Sequence, residues 1–405
     1  MTVIFYILGA LLVFLSWKSF RGGWNYLKYF KQELSKPLSD YTPPVTVIAP
    51  CRGLDDRLEA NFRALLRQDY SHYEVIFVVD DLADPAVNSI RKLSDSSDVT
   101  AVKIEIILAP HATESGQKVE NLRYGVLHAD IASEVFVFVD SDALPPPDLL
   151  RSLVAPLEES NVGAATGYRW FISEKPTFSS EMRSVWNASV ASALGENPKN
   201  NFAWGGATAI RREIFEKLDI REKWRGTISD DFTLTHVVKS AGMEIVFVPR
   251  ALTATYGSCS FRQLLEFTNR QIKITRVYSP HLWVILFLGT GLFNLVIGWA
   301  LLLAICSRRN DTGVWAAIAV LFLVAAFSIG KALLRLRAVF LAMPEHAPSI
   351  KKQIAAQGFL WFLTPTLFFF NCLAALMSRR IVWRGITYYL PSSHETIVIS
   401  HRKPD

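Results

Sequence analysis

The sequence predicts an α/β protein with a mostly parallel sheet, together with helices that cross a membrane. Two observations lead to this prediction. Between residues 40 and 280, short apolar strands alternate with helical segments, a pattern typical of a parallel sheet covered on both faces. The mean hydropathy of +0.22, with 50% hydrophobic residues, is high for a soluble chain. Part of the protein is therefore expected to lie in lipid.

The first half of the globular region holds four predicted strands separated by three predicted helices. The strands are expected at 45–50, 73–81, 102–109 and 134–142, and the helices at 58–68, 85–93 and 118–129. In open α/β sheets, ligands bind outside the carboxyl ends of the strands. Polar clusters at three of these ends, around Arg52, Asp80 and Asp140, are therefore expected to meet at one edge.

Apolar segments at the start of the chain and in its last third predict the division into domains. They cover residues 2–17, 282–306, 313–330 and 354–377. The first has no small-residue cleavage site before its charged flank, so we interpret it as an uncleaved anchor, with a cleaved signal peptide as the alternative. The predicted division is an anchor at 1–20, a globular domain at 40–280, membrane helices at 281–378 and a basic tail at 379–405.

Charge and cysteine usage exclude several classes of function. The net charge is +6, and basic residues such as Arg379, Arg380 and Arg384 stand beside apolar segments, which suits anionic headgroups on a cytoplasmic face. No basic run is interleaved with aromatic residues in the globular region, which argues against nucleic acid as a partner. The four cysteines include no CxxC pair, so neither a zinc site nor a disulfide framework is predicted.

The strand at 134–142 ends in Asp140-Ser141-Asp142. Two carboxylates so close together need a counter-charge, and hard divalent cations prefer such oxygen ligands. We predict that Asp140 and Asp142 bind Mg2+ or Mn2+, which would also contact a diphosphate. The alternative is a capped turn before the proline-rich loop that follows.

Two further features suggest nucleotide binding. An acidic residue at the position of Asp80 and Asp81 commonly binds a ribose or a base edge, although capping of the helix that starts near Pro85 is an alternative. Lys118 opens a helix after a glycine, where a cation and free backbone N–H groups favour a phosphate. The alternative for Lys118 is a solvated surface lysine.

Residues 229–231 place two adjacent acids at a predicted helix start. Capping explains one of them but hardly both Asp230 and Asp231, and a carboxylate at this edge is suited to act as general base for an acceptor hydroxyl. Upstream, Gly205-Gly206-Ala207 is small enough for a bulky ligand to approach the backbone. A tight helix-capping turn is the alternative for the glycines.

A cationic amphipathic segment at 264–283 leads into the second apolar segment. Arg270, Lys273 and Arg276 share one helical face, so they are expected either to clamp a diphosphate or to contact lipid phosphates at the interface. The two interpretations are compatible.

Taken in order, these motifs resemble those of inverting family 2 glycosyltransferases with a GT-A-type domain. The closer resemblance is to the ceramide glucosyltransferase group and its bacterial relatives, including hopanoid glycosyltransferases. It covers nearly the whole chain, in the segments "CRGLDDRLEANFRALLRQDYSHYEVIFVVDDLADPA", "GQKVENLRYGVLHAD", "VDSD", "WGGATAIRRE", "SDDF", "RQIKITR" and "IVWRGITYYL".

The resemblance implies a Rossmann-like GT-A nucleotide-sugar domain at 40–280, with Asp231 as the catalytic base and a metal at Asp140 and Asp142. The implied substrate-binding residues are Asp80, Asp81, Lys118, Asp230, Arg270, Gln271, Lys273 and Arg276. In the basic motif of the family, Arg-Trp usually stands where this chain has Lys273-Ile274. That tryptophan belongs to the sugar platform of processive synthases.

The function that the resemblance implies is transfer of one glucose or N-acetylglucosamine from its UDP form to a hydroxyl of a membrane lipid, such as ceramide or a hopanoid. The expected partners are a UDP-sugar, the lipid acceptor and the membrane. The protein is expected in a bacterial inner membrane, with its catalytic domain in the cytoplasm. One alternative is a processive polysaccharide synthase, against which four spans and the missing tryptophan argue. The other is a non-catalytic membrane protein that binds lipid or nucleotide.

The membrane segments also raise a question of topology. Three full spans after the catalytic domain would place the basic tail on the far side of the membrane, against the positive-inside tendency. We therefore expect one of the last segments to be re-entrant or interfacial, and Pro365 indicates the fourth.

Overall fold

The computed structural model describes residues 2–306 and 312–401. Its α-helices are Thr2–Ser35 (α1), Leu58–Leu65 (α2), Pro85–Ser94 (α3), Gln117–Gly125 (α4), Leu149–Val154 (α5), Phe178–Ala191 (α6), Arg212–Lys217 (α7), Ile220–Lys223 (α8), Asp230–Ser240 (α9), Phe261–Tyr278 (α10), Pro280–Cys306 (α11), Thr312–Ala342 (α12), Ala347–Lys351 (α13), Ile354–Phe359 (α14) and Thr364–Met377 (α15). Its strands are Val45–Pro50 (β1), Tyr73–Val79 (β2), Lys103–Leu108 (β3), Val135–Val139 (β4), Val162–Ile172 (β5), Ala207–Arg211 (β6), Glu244–Tyr256 (β7), Arg380–Trp383 (β8), Ile386–Ser392 (β9) and Glu395–His401 (β10).

The chain forms two compact units, each assembled from three segments. The helical unit comprises Met1–Lys31, Pro176–Ser192 and Cys259–Ser378. The α/β unit comprises Gln32–Lys175, Ala193–Ser258 and Arg379–Asp405. This grouping differs from the division expected from the sequence at several places. The first helical segment runs to Lys31, and helix α10, expected in the globular domain, belongs to the helical unit. Helix α6 belongs with the apolar helices, and the segment from Arg379 onward belongs with the α/β unit.

The α/β unit is built on a seven-stranded sheet with the order β3-β2-β1-β4-β6-β5-β7. The pairs β1–β2, β2–β3, β1–β4 and β5–β7 are parallel, and β6 runs antiparallel to both of its neighbours. Strands β1, β2 and β4 are buried along their whole length, as their continuous apolar sequences require. Their carboxyl ends lie along one edge of the sheet, where the chain order reverses between β1 and β4.

The antiparallel strand β6 brings a second loop to this edge. Val139, the last residue of β4, pairs with Ala207, the first residue of β6. The glycines at 205 and 206 therefore come directly beside Asp140, whose N–H donates to the carbonyl oxygen of Gly206 at 3.3 Å. Behind the sheet, the rings of Phe136, Phe138, Phe215 and Trp224 pack against one another and hold this end of β4 in place.

The C-terminal segment, expected to be a basic tail, forms a three-stranded antiparallel sheet of β8, β9 and β10. Ile386, Tyr388 and Leu390 on one face of β9 are each no more than 1% exposed. The Tyr388 hydroxyl accepts a hydrogen bond from the Gln117 N–H, and Thr396 Oγ1 donates to the carbonyl oxygen of Gly226. Burial of alternate apolar residues explains why this short segment folds.

Within residues 2–306 and 312–401, three helices are long and apolar enough to cross a membrane: Val3–Ser35, Pro280–Cys306 and Thr312–Ala342. The first extends well past residue 20, where the anchor was expected to end. A fourth candidate consists of two pieces, Ile354–Phe362 and Thr364–Met377, which meet at an angle of 57°. The bend lies next to Pro365, where the sequence indicated an irregular segment.

This mixed α/β architecture with a parallel-dominated sheet and long apolar helices confirms the fold class predicted from the sequence.

Candidate functional site

The carboxyl edge of the sheet carries a compact cluster of ion pairs around the predicted metal ligands. Lys118 Nζ lies 2.8 Å from Asp140 Oδ1 and 3.3 Å from Asp230 Oδ1. The guanidinium of Arg169 bridges the two strand-end acids, at 2.8 Å from Asp140 Oδ2 and 2.7 Å from Asp142 Oδ2. Four of the predicted site residues therefore come together here, and Arg169 joins them.

The charges in this cluster change the proton affinity of its members. Burial works to raise the pKa of Asp142, but the charges of Arg169 and Arg384 outweigh it and hold that pKa below its usual range. Burial likewise opposes the charge of Lys118, yet Asp140 and Asp230 raise its pKa above the usual value. For Asp230 the balance differs. Burial raises its pKa to about 6 against the pull of Lys118.

Lys118 owes its position to the start of α4. Gly116 is the N-cap of this helix, and Lys118 follows in the first turn. Its side chain is only 15% exposed and also donates to the carbonyl oxygen of Gly205 at 3.3 Å. The alternative of a solvated surface lysine is therefore wrong.

The two glycines before β6 make room for the cluster itself. A Cβ on Gly205 would overlap the Asp230 carboxylate and approach Lys118 Nζ to 2.8 Å. A Cβ on Gly206 would overlap the Trp204 ring and lie 2.7 Å from Asp140 Oδ2. We predicted this space for an approaching ligand, but the structure shows that the site's own side chains fill it.

Helix α9 positions the two adjacent acids that the sequence singled out. Its N-cap is Ser229, whose hydroxyl accepts from the N–H of Phe232, so capping explains neither acid. Asp230 is buried, with 4% exposure, and points to Lys118. Asp231 is half-buried, and its Oδ1 accepts from the Ser229 hydroxyl and from the Phe232 N–H at 2.8 Å.

The acids after β2 lie in two different environments. Asp80 is 3% exposed and pairs with Arg52, and its Oδ1 is buried without a hydrogen-bond partner in the described part of the chain. Asp81 is exposed and accepts from the Ala83 N–H at 2.8 Å, a local turn contact. Neither caps the next helix. The N-cap of α3 is Asp84, which accepts from the Ala86 N–H, so the capping alternative is wrong.

The basic residues of the amphipathic segment lie on α10, in the helical unit. Arg276 donates to the carbonyl oxygens of Ala375 and Leu376 at the end of α15, and its guanidinium lies 5.5 Å from the Trp283 ring. The guanidinium of Arg270 lies 5.6 Å from the Phe267 ring. A diphosphate clamp formed by Arg270, Gln271, Lys273 and Arg276 stays a prediction.

Sequence reasoning missed three charged members of the site. Arg169 lies in the middle of β5, where no local pattern marks a functional residue. Arg384 lies in the β8–β9 loop and pairs with Asp55, which follows β1. The strand pattern of "ITYYL" and "ETIVIS" would have indicated a folded C-terminal segment, but no sequence signal placed it beside Asp142.

Asp140 and Asp142 carry oxygen donors of the kind that a divalent cation prefers, and a metal site at these residues stays a prediction. Asp142 Oδ1 is buried and accepts no hydrogen bond from any described residue, while Arg169 and Lys118 hold the other oxygens. Across 2–306 and 312–401, no three His, Cys, Asp or Glu side chains are grouped closely enough to hold a metal. Mg2+ commonly binds through one or two carboxylates and fills its other positions with water and phosphate oxygens.

Comparison with protein families gives a match over nearly the whole chain. The model of the family described as "Glycosyl transferase family 21" matches residues 7–396.

Several solved structures are similar at low identity. The chain is similar to the mannosyltransferase PcManGT from Pyrobaculum calidifontis in complex with GDP-Man and Mn2+, with 18% identity and a TM-score of 0.46 over 91% of this chain and 98% of that chain. It is also similar to GalNAc-T7 with UDP, GalNAc and Mn2+, with 12% identity and a TM-score of 0.40 over 55% of this chain and 45% of that chain. A third similar structure is glucosyl-3-phosphoglycerate synthase from Mycobacterium tuberculosis, with 14% identity and a TM-score of 0.34 over 57% of this chain and 78% of that chain.

Proposed function

Because the chain belongs to glycosyltransferase family 21, we propose that it transfers one sugar from a UDP-sugar to a hydroxyl of a membrane lipid, with inversion of configuration. The observation that supports this proposal most is the cluster at the carboxyl edge of the sheet, where Lys118 and Arg169 lie among the carboxylates of Asp140, Asp142 and Asp230. Lys118 and Arg169 supply the positive charge that a diphosphate needs, and Asp231, next to Asp230 in the first turn of α9, offers a carboxylate to the acceptor.

The donor's charge would be neutralised at this edge. Lys118 and Arg169 are cations that can turn from the carboxylates to phosphate oxygens, and a planar guanidinium matches two such oxygens at once. Asp80, with its unpartnered buried Oδ1, is the better placed of the two acids after β2 to accept a hydrogen bond from the nucleoside. The proposed donor sugar is glucose or N-acetylglucosamine.

Asp140 and Asp142 would hold Mg2+ or Mn2+, through the free Oδ1 of Asp142 in particular. When bound, this ion would supply positive charge that stabilises the leaving diphosphate. Arg169 lies on the same two carboxylates, so metal and guanidinium would share them or exchange on them.

The acceptor would be activated by Asp231. Its Oδ1 is fixed by Ser229 and Phe232, and no described residue donates to its Oδ2. Asp231 would take the proton from the lipid hydroxyl as that oxygen attacks the anomeric carbon. The bond from that carbon to the phosphate oxygen breaks at the same time, and its electron pair leaves with the UDP.

The helical unit supports a lipid acceptor. Helices that are able to cross a bilayer keep the protein in the same phase as the apolar part of the acceptor, so only the headgroup has to reach a catalytic residue. Ceramide and hopanoids are the acceptors that we would test first. A bacterial inner membrane, with the α/β unit on the cytoplasmic side, is part of the same proposal.

The test is a turnover assay of the full chain in detergent with Mn2+ or Mg2+, radiolabelled UDP-sugars and membrane-lipid extracts. We expect one labelled lipid, which chelation and Asp231→Asn abolish. UDP binding should persist in Asp231→Asn, since this change leaves Lys118, Arg169 and the strand-end acids in place.

Two outcomes would contradict the proposal. A labelled product of high mass would indicate a processive synthase. Bound UDP without transfer, for every sugar and lipid tried, would indicate a non-catalytic protein. Glu213→Gln, an exposed change on α7, serves as the matched control and should retain full turnover.

A further inference from the structure

The C-terminal sheet brings an arginine to the carboxyl edge of the main sheet. Arg384 pairs with Asp55, whose other carboxylate oxygen accepts from the Ser141 hydroxyl at 2.6 Å. Ser141 stands between the two proposed metal ligands, and the charges of Asp142 and Asp140 also act on the Arg384 guanidinium. Arg384 therefore extends the row of alternating charges formed by Lys118, Arg169 and the acids.

The backbone at this position is unusual for an arginine. Arg384 and Gly385 form the two-residue loop between β8 and β9, since Trp383 pairs directly with Ile386. Both loop residues have positive φ, at 49° and 77°. Loops with positive φ at both positions strongly favour Asn-Gly, and a long side chain is disfavoured at the first position. Strain of this kind is often found where the side chain has a functional role.

The loop is held firmly against the segments that carry the proposed catalytic residues. Arg52 Nε donates to the carbonyl oxygen of Arg384 at 3.0 Å. The Tyr388 hydroxyl contacts the Gln117 N–H at 3.1 Å, next to Lys118. Thr396 Oγ1 donates to Gly226 at 2.9 Å, in the turn that leads to α9. The C-terminal sheet is thus fixed to the segments that precede Lys118 and Asp230.

Exposure separates Arg384 from the other cations of the site. Its side chain is 34% exposed, against 13% for Arg169 and 15% for Lys118. An anion that arrives from solvent therefore meets Arg384 with less rearrangement than it meets the other two.

We propose that Arg384 binds the diphosphate of the donor, so that the C-terminal sheet contributes a residue to the donor site. In the absence of donor, Asp55 holds the guanidinium. When the donor binds, the guanidinium exchanges Asp55 for non-bridging phosphate oxygens, which it can contact in pairs. This inference rests on the proposed function, because that function supplies the diphosphate.

The first variant is Arg384→Asn, chosen because Asn-Gly is the preferred sequence for this loop and should keep the hairpin folded. Affinities of UDP and of uridine are measured on the full chain in detergent with Mn2+. We expect UDP to bind roughly tenfold more weakly or worse, the effect of losing a charged hydrogen bond. Uridine, which has no phosphate, should bind as it does to the wild type. Arg380→Gln removes an exposed positive charge from the same sheet and should change neither affinity.

A second pair of variants separates direct contact from charge balance. If Arg384 only neutralises Asp55, Asp55→Asn should restore UDP affinity when it is combined with Arg384→Asn. If Arg384 contacts the diphosphate, the double variant keeps the defect. The single variant Asp55→Asn then binds UDP at least as tightly as the wild type, because its guanidinium is released.

Rescue by the double variant would overturn the inference, as would equal UDP affinity in wild type and Arg384→Asn. In both cases the proposed function would stand, because the wild type would still bind UDP and transfer sugar. A wild type that does not bind UDP would overturn the proposed function and this inference together.

Discussion

Asp230 is the residue at which burial and charge oppose each other most clearly. It is 4% exposed, and its pKa is raised from 3.8 to about 6 even though Lys118 lies 3.3 Å away. The folded protein therefore binds this proton more tightly than the unfolded chain does. The contribution of Asp230 to the free energy of unfolding is therefore fully present below pH 3.8 and is lost as the pH rises to about 6.

Because the charged form of Asp230 is disfavoured in the folded protein, replacing it with a neutral side chain is expected to stabilise the fold at neutral pH. Asp230→Asn should raise the Tm at pH 7 to 8 by about 2–4 °C for each kcal/mol gained, and the gain should vanish near pH 4. Transfer activity should fall in the same variant, because Lys118 loses one of its two carboxylates. Thermal unfolding of the detergent-solubilised protein across this pH range, with chelator present, measures the effect.

The pKa of Asp142 is shifted in the opposite direction from that of Asp230. Its pKa is depressed, so its contribution is present above the pKa of the unfolded chain and is lost as the pH falls through the lower value of the folded state. Asp142→Asn should therefore destabilise the protein at neutral pH. A Tm at pH 7 that falls in both variants would contradict the assignment of Asp230 as a group held against its charge.

The loop before β6 is the element on which the cluster depends most directly. Antiparallel pairing of β6 with β4 places Gly205 against Asp230 and Lys118, with no room for a Cβ. Because Asp230 has a short side chain at the first turn of α9, it cannot move away without shifting the helix start.

Gly205→Ala is therefore expected to disrupt the site rather than the fold. We predict a loss of transfer of roughly 100-fold, the scale associated with a displacement of about 1 Å at a catalytic centre. Gly195→Ala is the matched control, since nothing lies within 4 Å of a Cβ built there. Turnover rates of both variants, normalised to folded protein, test this prediction. Unimpaired transfer in Gly205→Ala would show that Asp230 need not keep its position.

Some elements of the α/β unit could be predicted from the sequence, whereas the contacts between them could not. Strands β1, β2 and β4 were predictable because largely apolar runs end in polar residues, and the position of Asp140 followed from the end of β4. The environment of Asp140 did not follow. Arg169 reaches it from β5 because β6 pairs with both β4 and β5, an order that only the folded sheet defines. Local sequence carries strand ends and helix starts, whereas the partners of a charge depend on strand order.

The C-terminal sheet was missed although its own sequence contains a strand pattern. Its basic residues suggested a tail at the membrane surface, but β9 buries Ile386, Tyr388 and Leu390 in alternation. Charge composition dominated that interpretation, although the period of two was present in the sequence.

Across the whole molecule, charge is distributed unevenly between the two units. The segments of the helical unit contain sixteen Lys and Arg residues and only four acids, Glu181, Glu266, Asp311 and Glu345. An excess of this kind suits helices that end among anionic headgroups.

The assembly of the α/β unit from separate segments also constrains the membrane topology. Ser258 and Arg379 both belong to this unit, so the chain must leave and return on the same side of the membrane. The helices between them then cross the membrane an even number of times. Helices α11 and α12 are long and apolar enough to supply two crossings, so we predict that the bent pair at 354–377 enters and leaves on one side. This agrees with its angle of 57° beside Pro365.

Cysteine accessibility in sealed membrane vesicles tests this topology. Native Cys306 is the last residue of α11 and is exposed, whereas Cys51, Cys259 and Cys372 are buried. Glu213→Cys and Glu395→Cys, each combined with Cys306→Ser, report on the α/β unit and on the C-terminal sheet. We expect an impermeant maleimide to label both introduced cysteines from one side and Cys306 of the wild type from the other. Labelling of Glu395→Cys from the side of Cys306 would make the bent pair a full span. The contacts of Arg384 with Asp55 and of Tyr388 with Gln117 could then not form within one chain, because a bilayer would separate the partners.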